Sequence, residues 1–315
     1  MNKSFSATLI SLTRVILGLC LLASGIGMTA GHSYPAELLA NFPLQYATVG
    51  ALAAITFSLL RNRTGAILSV GFTLTQVVLL LPFYLNSTAA SPREESEFTI
   101  MFANVFVSNG RHEAVRTLFR EKRPDILVIA EFTPTWEHEL SLVANEFPYT
   151  ISKPQQDAFG IAVYSRVPLN QQSSPLTTHR PPSIVTAAQL AGGAVSILAT
   201  HALPPMNERM FARRNEQLRA LARESRAQVG PTILIGDLNT TPWSPYFRQL
   251  ERDSGLMNAR LSHGLNASWP AGLTPWGIPI DHLLVSSQLQ VLSFESVKIP
   301  GSDHDAVLAR LRVLK

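Results

Sequence analysis

Polar side chains recur where apolar runs end. Asn104 follows TIMFA, Glu131 follows DILVIA and His201 follows VSILAT. Asp237 and Asn239 follow TILIG, Asp281 follows GIPI, and Asp303 and His304 lie just before AVLARL. Carboxylate and amide oxygens are the donors a hard divalent cation accepts, and imidazole is the side chain suited to proton transfer near neutral pH. The end of a rigid strand holds such groups in fixed positions facing a cleft. Each has a plainer reading on its own. Glu131 alone would be a solvated loop residue or a helix cap, Gly-Asp-Leu-Asn a turn, Ser-Asp-His-Asp a polar loop, and His201 a structural histidine. Their recurrence at strand ends points to an assembled site, and the elements that would assemble it must be found in the pattern around them.

Those elements fall into two halves. Up to about residue 92 the only charged residues are Lys3, Arg14, Glu37, Arg61 and Arg63. The remaining chain carries 22 basic and 21 acidic residues, so the pI of about 9.4 does not describe it. A near-neutral second half lacks the strongly basic balance of nucleic-acid binders. The single cysteine, Cys20, excludes an internal disulfide framework and a cysteine-based zinc site. Three apolar stretches in the first half, roughly 8–30, 38–60 and 64–85, are long enough to span a bilayer. Lys3, Arg14 and the turn Arg61-Asn62-Arg63 place the N-terminus and that turn in the cytoplasm, with everything after about residue 88 outside. The alternative, a cleaved signal in the first stretch, still exports the second half. The expected organisation is a multi-pass membrane anchor over 1–88, a small, polar linker over 89–97 and a folded domain over 98–315.

In the second half, apolar runs at 98–105, 125–130, 149–153, 159–165, 183–190, 194–200, 232–235, 280–285, 292–299 and 306–313 read as strands. Gly192 and Gly193 mark a tight hairpin between two of them. Helical spacing appears at 112–122, 134–145, 206–228 and 244–252. The mixture predicts an α/β fold with two packed sheets flanked by helices, a four-layer sandwich preceded by about three transmembrane helices. Met101, Phe102 and Phe106 are expected in the core. The arginines of the 206–228 segment, Arg209, Arg213 and Arg214, read mostly as a solvated face, with Arg180 a further candidate for an anionic group. His263 and Trp269 precede Asp281 in a loop and are candidate cleft residues, while His282 and Asp305 flank the site.

The order of these pieces resembles the endonuclease/exonuclease/phosphatase superfamily over residues 98–313. Ile235-Gly236-Asp237-Leu238-Asn239 and Gly301-Ser302-Asp303-His304 carry most of the resemblance. Ala103-Asn104-Val105, Ile129-Ala130-Glu131, 160–166 (GIAVYSR), Ala199-Thr200-His201 and Ile280-Asp281-His282 support it in the same order. With its apolar N-terminus the chain resembles the membrane-anchored branch, which includes glycopeptide-resistance-associated membrane proteins. It departs from the family pattern at Ala103, where an aromatic is frequent, and at Ala130, where Gln is frequent.

The resemblance implies a phosphoester hydrolase dependent on Mg²⁺ or Mn²⁺. It makes Glu131 the principal metal ligand with Asn104 in support, and Asp303 a second ligand or a structural partner. Asp237 would orient or deprotonate water, and Asn239 would hold a phosphoryl oxygen. His304 would stabilise developing charge, polarised by Asp281, and His201 would face the phosphate or the leaving group. A domain tethered outside a membrane meets lipid head groups at high effective concentration, so the expected partners are the bilayer and a phosphoester substrate, lipid-linked in the leading reading. An extracytoplasmic nuclease shares the same residues, with nucleic acid the less favoured partner. A catalytically inactive membrane-anchored binding protein is the third reading, opposed by the complete residue set. No protein partner is indicated.

Overall fold

The computed structural model describes residues 3–31, 33–85, 96–172, 181–273 and 276–314, and divides into two compact units. One comprises Met1–Leu85 with Trp243–Pro245, and the other Asn86–Pro242 with Tyr246–Lys315. Most of the expected linker and Arg180 lie outside the described residues.

The first unit holds helices α1 (Lys3–Gly27), α2 (Tyr34–Leu39), α3 (Pro43–Leu59) and α4 (Arg63–Leu80). Leu17, Tyr46, Ala53, Phe57 and Phe72 form its small core. Gln76 Nε2 donates to Ser24 Oγ at 3.0 Å, a polar link between α1 and α4. Ser4–Gly27 and Arg63–Phe83 are long and apolar enough to cross a membrane by length and composition. The middle stretch does not form the single expected span over 38–60. Ser33 caps α2, which ends at Leu39, and a new helix starts at Pro43. The apolar helix that remains has 17 residues, a rise of roughly 25 Å against roughly 30 Å of hydrocarbon.

In the second unit, strands β1 (Glu97–Asn104), β2 (Ile126–Ala130), β3 (Tyr149–Lys153) and β4 (Ile161–Ser165) come first in the chain. Strands β5 (Leu169–Gln172), β6 (Ser183–Leu190), β7 (Gly193–His201), β8 (Thr232–Asp237) and β9 (Met257–Asn258) follow. Strands β10 (Asp281–Val285), β11 (Leu289–Lys298) and β12 (Asp305–Val313) end it. Helices α5 (His112–Lys122), α6 (Pro134–Ser141), α7 (Glu208–Ala227) and α8 (Pro245–Ser254) complete the unit. Two six-stranded mixed sheets form, ordered β11-β12-β1-β2-β4-β3 and β5-β6-β7-β8-β10-β9. Each has one parallel pair, β1–β2 and β7–β8, joined through α5 and α7.

Side-chain alternation along the strands builds the layers. Phe98, Ile100 and Phe102 share the central core with Ile126 and Val128, and from the other sheet with Ile197, Ile233, Ile235 and Leu283. The intervening residues point outward. Met101, Ala103, Leu127 and Ile129 pack on Val115, Phe119, Trp136 and Leu140 of α5 and α6. Leu198, Leu234 and Leu284 pack on Leu218, Leu221, Phe247 and Leu250 of α7 and α8. The result is helices, sheet, sheet, helices, the expected four layers. The short strands β5 and β9 were not legible as apolar runs. Phe106 is not core: it is half-buried and opens the loop after β1 in a left-handed conformation (φ 64).

Glu251 of α8 illustrates a cost in this packing. Burial pushes its carboxyl up to about 7, against the lowering effect of the Asn258 N–H at 3.2 Å and of Arg248 and Arg252. A raised carboxyl pKa means the folded state holds the proton more tightly. The group's contribution is intact below its unfolded value of 4.5 and is lost as pH rises toward about 7. Glu251→Gln keeps the acceptor oxygen without the charge. It should match wild type in urea midpoint at pH 4.5 and exceed it at pH 8, by on the order of 1–2 kcal/mol after solvent screening. An equal gap at both pH values would remove Glu251 as the source.

Candidate active site

The residues singled out at strand ends converge at one end of the two sheets. Antiparallel pairing sets Asp281 of β10 opposite Asp237 of β8, and parallel pairing sets His201 of β7 beside Asp237. In the other sheet, Asn104 ends β1 beside Ala130 of β2, immediately before Glu131. The loop between β11 and β12 delivers His304: Ser302 Oγ donates to Asn104 O at 2.7 Å and accepts from His304 N at 3.0 Å.

Glu131 adopts a left-handed backbone (φ 58), which L-residues take at some cost. That turn brings its Oε2 to Val107 N at 2.6 Å and its Oε1 to Asn104 Nδ2 at 3.2 Å. Asn104 also reaches Asp237 Oδ2 at 3.4 Å through Nδ2, while its Oδ1 accepts from Phe106 N at 3.2 Å. It therefore presents nitrogen, not oxygen, to the acids. Asp237 Oδ1 accepts from Asn239 N at 2.8 Å, and its Oδ2 lies 3.5 Å from His201 Nε2 and 3.9 Å from His304 Nε2. Asn239 is also left-handed (φ 48) and donates its amide to Ala202 O at 2.9 Å.

Asp281 Oδ2 lies 2.9 Å from His304 Nδ1, and both are buried. Burial would lower the His304 pKa, but Asp281, by charge and by hydrogen bond, raises it to about 10. His304 is thus a cation at neutral pH, with Nε2 turned toward Asp237. Burial would raise Asp281, and His304 outweighs it, holding the carboxyl below the ordinary range. Asp237 is raised, first by burial and then by Asp281. Burial, and then His304's charge, lower His201 to about 4, so it is a neutral imidazole resting near Phe159.

Asp237, Asp281 and His304 place one donor atom each within 4.8 Å of one another. The imidazolium proton shared with Asp281 makes that trio a charge-paired dyad beside an acid, since a protonated ring nitrogen cannot ligate. The donors that fit a hard cation are the oxygens of Glu131 and Asp237, which Asn104 bridges. Burial holds the Glu131 carboxyl up as well, so these two acids are short of positive charge, the condition a divalent ion relieves. Asp303 lies at the rim of this group, and its charge acts on both Glu131 and His304. It is exposed, and its Oδ2 accepts from Trp269 Nε1 at 3.3 Å.

Trp269 is thus tied to the rim of the site, and His263 is half-buried. Asp305 is buried. Arg209 and Arg213 are exposed, but Arg214 is fully buried. Its Nη1 donates to Asn239 O at 2.7 Å, and it packs over Phe211 and Tyr246. The apolar stripe of α7 runs Phe211, Leu218, Leu221, and Arg214 falls on it, a signal that the spacing contained. Ser268, whose Oγ accepts from Asp281 N at 3.1 Å, carried no sequence signal.

Gly236 of β8 pairs with Thr200 of β7. A Cβ there would sit 1.8 Å from Thr200 O, a backbone atom that cannot swing away. Gly236→Ala should cost more than about 3 kcal/mol and reduce soluble yield, read as the urea midpoint. A midpoint unchanged from wild type would show that the strands can separate here without loss.

The endonuclease/exonuclease/phosphatase family model matches residues 101–304. No curated protein matches the chain by sequence. Among solved structures, an endonuclease/exonuclease/phosphatase from Beutenbergia cavernae shares 20% identity, covering 70% of this chain and 72% of its own, with TM-score 0.55. A 3'-5' exonuclease from Neisseria meningitidis shares 21% identity over 67% of this chain and 98% of its own, with TM-score 0.55. TDP2 of D. rerio, solved with a single-strand DNA product, shares 15% identity over 69% of this chain and all of its own, with TM-score 0.57.

Proposed function

The chain belongs to the endonuclease/exonuclease/phosphatase family, and from that premise we propose that it is a membrane-anchored, divalent-metal-dependent phosphoester hydrolase acting on a lipid-linked phosphate or phosphodiester at the outer face of the membrane. The observation that carries the hydrolytic reading is the buried constellation of Glu131, Asn104, Asp237, Asp281 and His304, with half-buried Asn239 beside Asp237. Glu131 and Asp237 would hold Mg²⁺ or Mn²⁺, with Asn104 fixing the two carboxylates and Asp303 contributing charge from the rim. The bound cation supplies charge neutralisation at the phosphoryl oxygens.

The chain's own residues do the rest. Asp237 Oδ2 accepts the proton of the attacking water, and the Asn239 N–H on its Oδ1 keeps that carboxylate turned into the site. The His304 imidazolium, held by Asp281, donates from Nε2 to the oxygen that gains negative charge. Neutral His201 and the Asn239 side chain orient the phosphoryl group.

The lipid substrate rests on two further features: the apolar helices Ser4–Gly27 and Arg63–Phe83, and the near-neutral charge of the second unit's sequence. They support the membrane-anchored branch, with the catalytic unit extracytoplasmic. A nuclease reading has its own support, since two structural relatives are an exonuclease and a protein solved with a DNA product.

The full chain in detergent would be assayed with Mg²⁺ or Mn²⁺, and with EDTA, on a polyprenyl pyrophosphate, phospholipids, a phosphodiester dye and plasmid DNA. Metal-dependent turnover of a lipid but not of DNA is expected. Cleavage of DNA alone, with steep salt dependence, would replace the lipid reading with the nuclease. Turnover undiminished in EDTA would overturn the metal requirement.

A further inference from the structure

Behind the site lies a buried cation to which none of the mechanism above assigns a task. Arg260 follows β9 and is fully buried. Its guanidinium stacks over the Phe294 ring at 4.9 Å. Among the described residues it makes no carboxylate ion pair. The nearby Asp281 carboxylate acts on the guanidinium only through space, so the two neutral groups that it touches define what it accomplishes. Nη2 donates to Asp281 O at 2.7 Å, and Nη1 lies 3.1 Å from His282 Nδ1.

A guanidinium has only donors, so His282 Nδ1 must accept and its proton must sit on Nε2. That nitrogen lies 2.8 Å from Thr240 O and donates to it. The ring is clamped against Phe247, with centroids 4.5 Å apart. Burial, reinforced by the charge of Arg260, pushes His282 down to about 3, which keeps it neutral and suited to accept on one side and donate on the other.

The two ends of this relay are both catalytic segments. Asp281, whose carbonyl Arg260 holds, carries the carboxylate that grips His304. Thr240, whose carbonyl His282 holds, directly follows Asn239 and closes the 237–240 turn that carries Asp237. The preceding carbonyl, Asn239 O, is held by Arg214. A buried arginine and a buried histidine from different elements thus fix successive carbonyls of this turn, Arg214 holding Asn239 O and His282 holding Thr240 O. Their donors replace the backbone partners that a regular strand or helix would have supplied.

We propose that Arg260, acting through His282, is a positioning residue for catalysis: it locks the Asp281 backbone to the Asp237–Thr240 turn, so that the His304–Asp281 dyad and the Asp237–Asn239 pair keep their mutual register. This rests on the hydrolase reading above. Neither residue touches substrate.

The test uses the full chain in detergent with Mn²⁺ and bis(p-nitrophenyl) phosphate, comparing Arg260→Met, His282→Phe and His282→Gln. Glutamine can accept from Arg260 through its oxygen and donate to Thr240 O through its nitrogen, so it preserves the relay that phenylalanine breaks. Arg260→Met and His282→Phe should lose about 10–100-fold in kcat, as removal of an outer partner typically does, with KM within about threefold of wild type. His282→Gln should recover most of the rate. Hydrogen exchange in residues 237–242 should accelerate in the two disrupting variants, while β6 and β7 stay protected.

His282→Phe retaining kcat within about twofold of wild type, or an unchanged exchange rate in 237–242, would overturn the proposal. The glutamine–phenylalanine pair decides the matter even where Arg260→Met does not fold. A wild-type chain inert toward every phosphoester would count against the hydrolase reading alone, and the exchange comparison would still decide the relay.

Discussion

Asp237→Asn is expected to lower kcat on a soluble phosphodiester by roughly 10³-fold or more, with the chain still folded by circular dichroism. The replacement is nearly isosteric, and its oxygen can still accept from Asn239 N. What changes is the other atom. Asp237 Oδ2 faces Asn104 Nδ2 at 3.4 Å, His201 Nε2 at 3.5 Å and His304 Nε2 at 3.9 Å. An amide nitrogen there can neither take a proton from water nor serve a cation, and it meets other donors. Two tasks are lost with one atom, so the effect exceeds that of removing a single hydrogen bond. A variant retaining more than about a tenth of wild-type kcat would show that another group is the base. Glu131 would then be the next residue to change.

For Asp281→Asn the expected loss is about 10²–10⁴-fold in kcat, together with a displaced pH profile. Asp281 is the largest influence raising His304, whose pKa stands at about 10 despite burial. A histidine raised in this way keeps its proton throughout the neutral range and loses it only as pH climbs through about 10. Without the carboxylate, burial dominates and the imidazole becomes neutral at physiological pH. The basic limb of the rate profile should therefore move to lower pH by several units in the variant, as measured from pH 6 to 10. The same pair contributes stability that is present below the unfolded histidine value of 6.5 and is lost through about 10. Wild type should thus lose more stability than the variant between pH 7 and 10. A lowered kcat with an unmoved basic limb would mean that Asp281 acts on position alone.

The two variants also separate the halves of the mechanism. Asp237→Asn removes the acceptor for the water proton, and Asp281→Asn removes the charge behind the leaving-group donor. Restoring a substrate whose leaving group needs no protonation should rescue the second variant more than the first.

Much of this was legible in the chain itself. Continuous apolar runs at 98–105 and 232–235 identified strands, because a pleated strand buried on both faces is apolar at nearly every position. A polar residue at its end then stands out: Asn104, Glu131, His201, Asp237, Asn239, Asp281 and His304 were each found so, and the structure brings all seven together. The four layers followed from side-chain alternation along the strands, with each outward set meeting a helix.

Other features only the tertiary structure decided. Length and hydropathy made 38–60 one span, but the helix that Ser33 caps ends at Leu39 and Pro43 starts the next, and only folding shows which signals operate. Asp303 reads as a ligand beside His304 in sequence, and the loop before β12 sets its side chain at the rim, where it meets Trp269. Arg260 lies 22 residues before His282 and carries no motif, so nothing in the sequence joins it to the motif that His282 closes. Periodicity reports which face of an element a residue occupies, because neighbours along one strand or helix fix that. Which residues of another element meet that face depends on how the sheets pack, and this is set by the whole core at once. The chain by itself therefore marked the candidate site residues, and the packed fold determined the buried partners that hold them.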